Sequence, residues 1–240
     1  MLDKSLLTLP PPYSQHRIED GDVLAEAIRR APEEGAGTLL WRSGGGLLAF
    51  AVVLEPEQKL AEARLAFLAG MVALAEALVA HCPPERAVRF GWPDILLYDR
   101  ARLGGGRFAV PEGCAEDETP QWMVYAAELI ADRDHLHAPG AFPDSTSLKE
   151  EEFASPPTIV ESFAAYLMLN FDRWAHQERQ AVTSRYLERL DPPLAEGSRV
   201  IGPDCELVER SSSFGERRSG LIEGLTLSTW RDPVAGRPRL

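Results

Sequence analysis

The chain is poor in cysteine: three in 240 residues, Cys82, Cys114 and Cys205, far apart and with no CxxC pair. That excludes a disulfide framework and a cysteine-rich zinc site. It has no long apolar run. The longest, Leu65 to Ala75, stops at Arg64 and Glu76, well short of the roughly 20 residues a membrane span needs. Before Pro10-Pro11-Pro12 there is one lysine and a short apolar stretch, too little for a secretory signal. A reduced, cytoplasmic protein is expected. Cations are also in deficit, with 25 Lys+Arg against 37 Asp+Glu and a formal net charge of −12. Phosphate backbones and anionic membranes are bound by clustered cations, so neither nucleic acid nor membrane is an expected partner. His135 and His137 stand two apart, a spacing that does not share a helix face, and no metal site is expected.

What is present suits an ordinary globular chain. Hydrophobic residues make up 45% of it and charged residues 26%, enough to bury a full core without the signature of disorder. The length suits one large domain with a small appendage. Asp20 or Asp22 can cap a first helix ending near Arg30. Thr38 to Trp41 reads as a strand, Arg42 to Gly46 as a flexible glycine loop, and the apolar run Leu47 to Leu54 as a buried strand. Leu60 to Ala80 is an Ala/Leu helix with apolar residues nearly all round, expected between layers. Val88–Phe90, Asp94–Tyr98, Leu103–Val110 and Trp122–Ile130 read as strands. Thr158 and Glu161 form a capping-box pattern for a helix to about Glu178, and a further helix covers Gln180 to Leu190. After Pro193 the composition shifts, and Arg199–Ile201, Cys205–Arg210 and Leu221–Trp230 read as short strands. The expected division is residues 1–193 and a small β-rich domain at 194–240.

The order of these elements resembles the biotin/lipoate protein ligase superfamily. The resemblance rests on Leu48 to Pro56, on the Ala/Leu helix, and on Gly91-Trp92-Pro93-Asp94-Ile95-Leu96-Leu97, which stands where biotin ligases carry KWPNDILL. Arg102-Leu103-Gly104-Gly105 resembles that family's KLxG segment. Met123 to Leu129 occupies the place of its GxGINV strand, and Thr146 to Glu151 resembles TSLxE. The implied fold is α+β, of the class II aminoacyl-tRNA-synthetase-like kind, with a mixed, mostly antiparallel sheet packed by helices.

The resemblance implies carboxylate activation. A small acid such as biotin, lipoate or a fatty acid attacks the α-phosphate of ATP, with Mg²⁺ on the phosphates. A lysine of a biotinyl- or lipoyl-type carrier domain then takes the acyl group. The implied ligand-binding positions are Arg42, Ser43, Gly44, Gly45 and Gly46 in the glycine segment, and Gly91, Trp92, Pro93 and Asp94 in the WP segment. Gly104 and Gly105, and Tyr125 and Ala127 on the last strand, complete them. Departures are specific: Gly91 stands at the motif lysine, the motif asparagine has no counterpart, and Tyr125 and Ala127 replace strand glycines. Arg89 and Arg102 are the candidates for the missing cation. Loss of a fixed cation from a phosphoryl site costs several kcal/mol of transition-state stabilisation. Two readings follow: a divergent ligase or acyltransferase, or a ligase-fold protein that binds an acyl ligand or a protein partner without the chemistry. Cys114, among Glu112, Glu116 and Asp117, is a poor nucleophile because carboxylates disfavour its thiolate.

Overall fold

The structure, a computed structural model, describes residues 6–84 and 86–240, apart from the side chain of Pro139. Residues 1–5, part of the segment judged too short for a secretory signal, lie outside the described residues. Among the described residues, twelve strands, six α-helices and one short 3-10 helix (Pro139–Ala141) follow one another.

β1 (Ser14–Arg17) is short and polar and lies in the proline-rich lead, where no periodicity marks it. α1 (Val23–Glu34) is capped by Asp22, whose carboxylate accepts from the Leu24 and Ala25 amides. It runs one turn past the expected end at Arg30. β2 (Thr38–Gly44) and β3 (Leu47–Leu54) form a hairpin. The flexible loop expected at Arg42–Gly46 is not one: Arg42 pairs with Ala49 and Ser43 with Leu48, and only Gly45 and Gly46 turn. Their φ values of 62° and 77° are those of a tight two-residue turn that glycine adopts without strain.

The Ala/Leu stretch forms α2 (Leu60–Ala63) and α3 (Leu65–Val79), interrupted at Arg64. Every residue of α3 except Glu76 and Val79 is buried. β4 (Val88–Gly91), β5 (Ile95–Tyr98), β6 (Ala101–Ala109) and β7 (Met123–Ile130) complete the main sheet. Its order is β1-β2-β3-β7-β6-β5-β4, antiparallel throughout except for the parallel β1–β2 pair.

α4 (Pro156–Gln177) begins with two prolines, where missing N–H donors cost nothing. It therefore starts ahead of Thr158, and the expected capping box does not form. Thr158 meets Ser155 through their hydroxyls instead, and Glu161 accepts from the Thr8 amide. α5 (Gln180–Glu188) follows. With α3, these helices cover one face of the sheet. The core there includes Phe50, Phe67, Phe90, Tyr125 and Phe163. The opposite face packs a smaller cluster, in which Val23, Leu24, Ala27 and Ala31 of α1 meet Leu40, Ala49, Ala51 and Ala126.

Beyond α5, β8 (Ser198–Ile201), β9 (Leu207–Ser211) and β10 (Gly215–Ser219) form a three-stranded antiparallel sheet. The strand expected at Leu221–Trp230 is instead helix α6 (Leu221–Leu227). Leu221 and Leu225, one turn apart, face the core while Glu223 between them is exposed, so the packing follows helical rather than strand spacing. β11 (Arg231–Asp232) and β12 (Arg237–Pro238) close the chain as a two-stranded ribbon. No helix among the described residues is long and apolar enough to cross a membrane.

Candidate functional site

Register decides which motif residues meet. Directly opposed residues on neighbouring strands share a face. One such row crosses the sheet as Arg42, Ala49, Glu128, Gly105, Ile95 and Gly91. Two residues along lies the row Leu40, Ala51, Ala126 and Arg107. Both rows face α1, so Arg42, Gly91 and Gly105 share one face, and Asp94 sits at its edge. Ser43 and Gly104 belong to the opposite row, with Leu48, Leu129 and Leu96. Tyr125 and Ala127 are fully buried in the core under α3. Gly44 ends β2 beside the Gly45–Gly46 turn.

The polar centre of the α1 face is a four-membered ion cluster. Arg107 Nη1 donates to both Asp22 oxygens at 2.7 and 2.9 Å and to Glu128 Oε1 at 2.7 Å. Arg231 Nε donates to the two Glu128 oxygens at 3.0 and 2.8 Å, and its Nη2 to Asp22 at 3.3 Å. Burial alone would raise the Asp22 carboxyl. The hydrogen bond and charge of Arg107, with the charge of Arg231, hold it below its ordinary value. Burial likewise works against the Arg107 cation, and its two carboxylate partners outweigh that and raise its pKa. Arg107 uses Nη1 for all three of these bonds; among the described residues its Nε and Nη2 have no hydrogen-bond partner.

Asp94 is the second polar centre and is 3% exposed. It accepts from Trp230 Nε1 at 2.8 Å and Ser228 Oγ at 3.0 Å. Burial pushes its carboxyl up to about 6, against the pull of those two donors. The Trp230 indole lies over Gly105. A Cβ there would stand 2.4 Å from Trp230 Cε2 and 2.6 Å from the Asp94 carbonyl oxygen, so the glycine provides the notch the indole fills. Beside this contact is a cavity of about 340 Å³, edged by Leu24, Asp94, Arg107, Phe108, Leu225 and Arg231, among others.

The other candidates have different partners. Arg89 donates to the Glu188 carbonyl and Arg102 to the Arg239 carbonyl, and neither edges the cavity. Arg42 donates to the Gly21 carbonyl at 2.7 Å. Trp92 packs edge-on to Tyr186, and its buried indole nitrogen has no hydrogen-bond partner among the described residues. Pro93 accepts from the Tyr186 hydroxyl at 2.7 Å. No group of three or more His, Cys, Asp or Glu side chains suited to a metal ion occurs among the described residues.

Sequence reasoning missed Asp22 as more than a cap, and missed Arg107, Glu128, Trp230 and Arg231. One signal was available: Glu128 is the lone charged residue in the apolar run Met123–Ile130, and a charge buried in a strand needs a partner.

This architecture is that of the biotin protein ligases. The chain superimposes on the biotin protein ligase of Aquifex aeolicus in complex with biotin and ATP with a TM-score of 0.62 at 14% identity, covering 86% of this chain and 96% of that one. The apo structure of that ligase gives 0.66 at 12% identity, covering 87% and 98%. A biotin protein ligase-like protein of unknown function from Silicibacter sp. TM1040 gives 0.77 at 25% identity, covering 92% of this chain and 99% of that one. Residues 9–188 match the biotin/lipoate A/B protein ligase family, and the chain belongs to that family. No curated protein is significantly similar in sequence.

Proposed function

We propose that the protein binds a small carboxylic acid of the biotin, lipoate or fatty-acid kind in the cleft on the α1 face, without adenylating it in this conformation. One observation carries the reading: the unpartnered Nε and Nη2 of Arg107 at the edge of the cavity of about 340 Å³. A guanidinium edge with two free donors matches a carboxylate in bidentate geometry. Leu24, Phe108 and Leu225 offer apolar surface for the body of the acid, as small-molecule sites require. The strands that build the cleft are those carrying the family's motif segments.

ATP and Mg²⁺ do not fit the residues as they stand. Arg107 and Arg231 are already neutralised by Asp22 and Glu128, and Arg42 is held by the Gly21 carbonyl. Gly91 stands at the motif lysine, and Trp230 fills the space over Gly105. Three carboxylates at the cleft, Asp22, Asp94 and Glu128, oppose a polyphosphate. Only three of the 25 basic residues are lysines, and neither Lys59 nor Lys149 edges the cavity.

The second reading is adenylation followed by transfer to a lysine of a carrier domain. Family membership and the retained Trp92-Pro93-Asp94 segment favour it. Calorimetry with biotin, lipoate, octanoate and ATP, singly and paired, separates the two. The binding reading expects an acid to bind the intact chain and to lose affinity in Arg107→Gln. Pyrophosphate release from ATP and an acid refutes it, as does failure of every acid to bind.

A further inference from the structure

We propose that a second groove, between the end of β3, α2 and the C-terminal part of α4, binds an amphipathic organic cation: a primary or quaternary ammonium on an apolar chain. This groove shares no lining residue with the acid cleft, and the inference does not depend on the acid reading.

The groove has a volume of about 760 Å³, within the range of about 300–1,000 Å³ of small-molecule sites. Its floor is apolar. Leu54 and Met123 are paired at the ends of β3 and β7, so the sheet stops there. Ala63 and Ala66, both buried against Met123, carry only methyl groups and leave the space above them open. Phe171 and Trp174 form the α4 wall, half-buried, with ring centroids 6.3 Å apart.

The rim has one sign. Glu55, Glu57, Glu62 and Glu178 edge the groove and are exposed. The neighbouring arginines are engaged elsewhere: Arg64 with Glu116, Arg173 with Glu76, and Arg179 with the Gly202 carbonyl at 2.6 Å. Arg179 is the one basic residue on the lining. Four carboxylates against one arginine repel an acid or a phosphate and attract a cation. These carboxylates ring the groove and do not converge, since no group of three or more His, Cys, Asp or Glu suited to a metal ion occurs among the described residues. The complementary ligand is therefore not a bare metal ion. It has an apolar body for the floor and a charged head at the rim, where aromatic faces add cation–π attraction. A second copy of this chain, with net charge −12, carries the wrong sign to fill the groove.

The test is calorimetry of the full-length chain with octylammonium and octanol, which offer one apolar chain with and without a positive head. One octylammonium per chain is expected, bound about tenfold tighter than octanol, with an affinity that falls as salt rises. Ala175→Arg, at an exposed helical position on the lining, brings a cation to the rim and should weaken octylammonium binding about tenfold. The double variant Glu62→Gln/Glu178→Gln should weaken it too and flatten the salt dependence. Octanol bound as tightly as octylammonium, an octylammonium affinity unchanged in both variants, or no octylammonium binding overturns the proposal. Binding of a lysine-rich peptide by a chain that ignores octylammonium also overturns it and makes a polypeptide the occupant. Should Ala175→Arg not fold, the double variant, which changes only exposed side chains, decides.

Discussion

Glu128→Gln tests the charge cluster most directly. Glu128 is 5% exposed on β7 and holds both arginines of the cleft. Gln keeps the shape and one acceptor but removes the charge that balances two guanidiniums. Breaking a buried pair by removing one partner costs about 3–5 kcal/mol. Here the cost is lower for two reasons. The side chains of Arg107 and Arg231 are 22% and 21% exposed, and Asp22 remains within 2.7 Å of the first and 3.3 Å of the second. A loss of about 2–3 kcal/mol is expected, which for a chain of this size lowers Tm by about 5–10 °C. Calorimetric unfolding with a parallel denaturant titration measures it, and an unchanged m-value shows that the folded state is intact. A double-mutant cycle with Arg231→Met is expected to show coupling of about 1 kcal/mol or more. If Glu128→Gln unfolds within about 0.5 kcal/mol of the parent, the cluster does not hold Arg231 and the electrostatic account of the cleft is wrong.

Asp94 has its carboxyl raised from 3.8 to about 6 by burial. The native state therefore binds this proton before the unfolded state does, and the group's contribution to stability falls as pH rises from about 4 to 6. Its upper limit is about 3 kcal/mol. Asp94→Asn should remove that slope; denaturant midpoints at pH 4, 5, 6 and 7 that track the parent would contradict it. Gly105→Ala places a methyl group in the Trp230 ring and should expel the indole, costing about 1–3 kcal/mol as overpacking does. Tryptophan fluorescence and calorimetric unfolding report it, and an unmoved spectrum with unchanged stability counts against the notch. Arg107→Gln should weaken acid binding at least tenfold by titration while Arg89→Gln leaves it unchanged; equal effects would move the site elsewhere.

The main strands were legible as short apolar runs bounded by breakers, and the continuous run Leu47–Leu54 matches its expected bounds. β1 was not, since four polar residues carry no period and pair only because β2 lies alongside. α6 was misread because seven residues of mixed pattern satisfy either period, and the packing of Leu221 chose the helix. The candidate residues divide for one reason. A strand alternates faces with period two, so Gly105 reaches the cleft and Gly104 the core, although both come from one motif. No local pattern placed Arg231 beside Glu128, 103 residues away, because a side-chain contact between distant segments leaves no periodic trace. Arg89 and Arg102 were chosen for nearness to the WP segment in sequence, whereas Arg107, two residues beyond Gly105 on the same face of β6, reaches the cavity.

The net charge of −12 bears on how an acid reaches the cleft. Within about a Debye length of the surface an incoming carboxylate meets the whole protein's field, beyond it that field is screened, and at the cavity mouth it meets the local guanidinium edge. The Debye length is about 30 Å at 0.01 M salt and about 8 Å at 0.15 M. At low salt the negative field therefore extends well past the protein surface and repels the acid; at physiological salt it is confined, and the Arg107 edge, local to the cavity, is the main charge the ligand meets. Association of octanoate or lipoate should speed up as salt rises from about 0.01 to 0.15 M, opposite to the slowing seen where opposite charges steer a ligand. Dissociation, governed by contacts inside the cavity, should change little. Stopped-flow measurement of both rates across that range is the check. An association rate that falls with salt would mean that a basic surface steers the ligand, and so that the entry route runs past cations other than the neutralised pair Arg107 and Arg231.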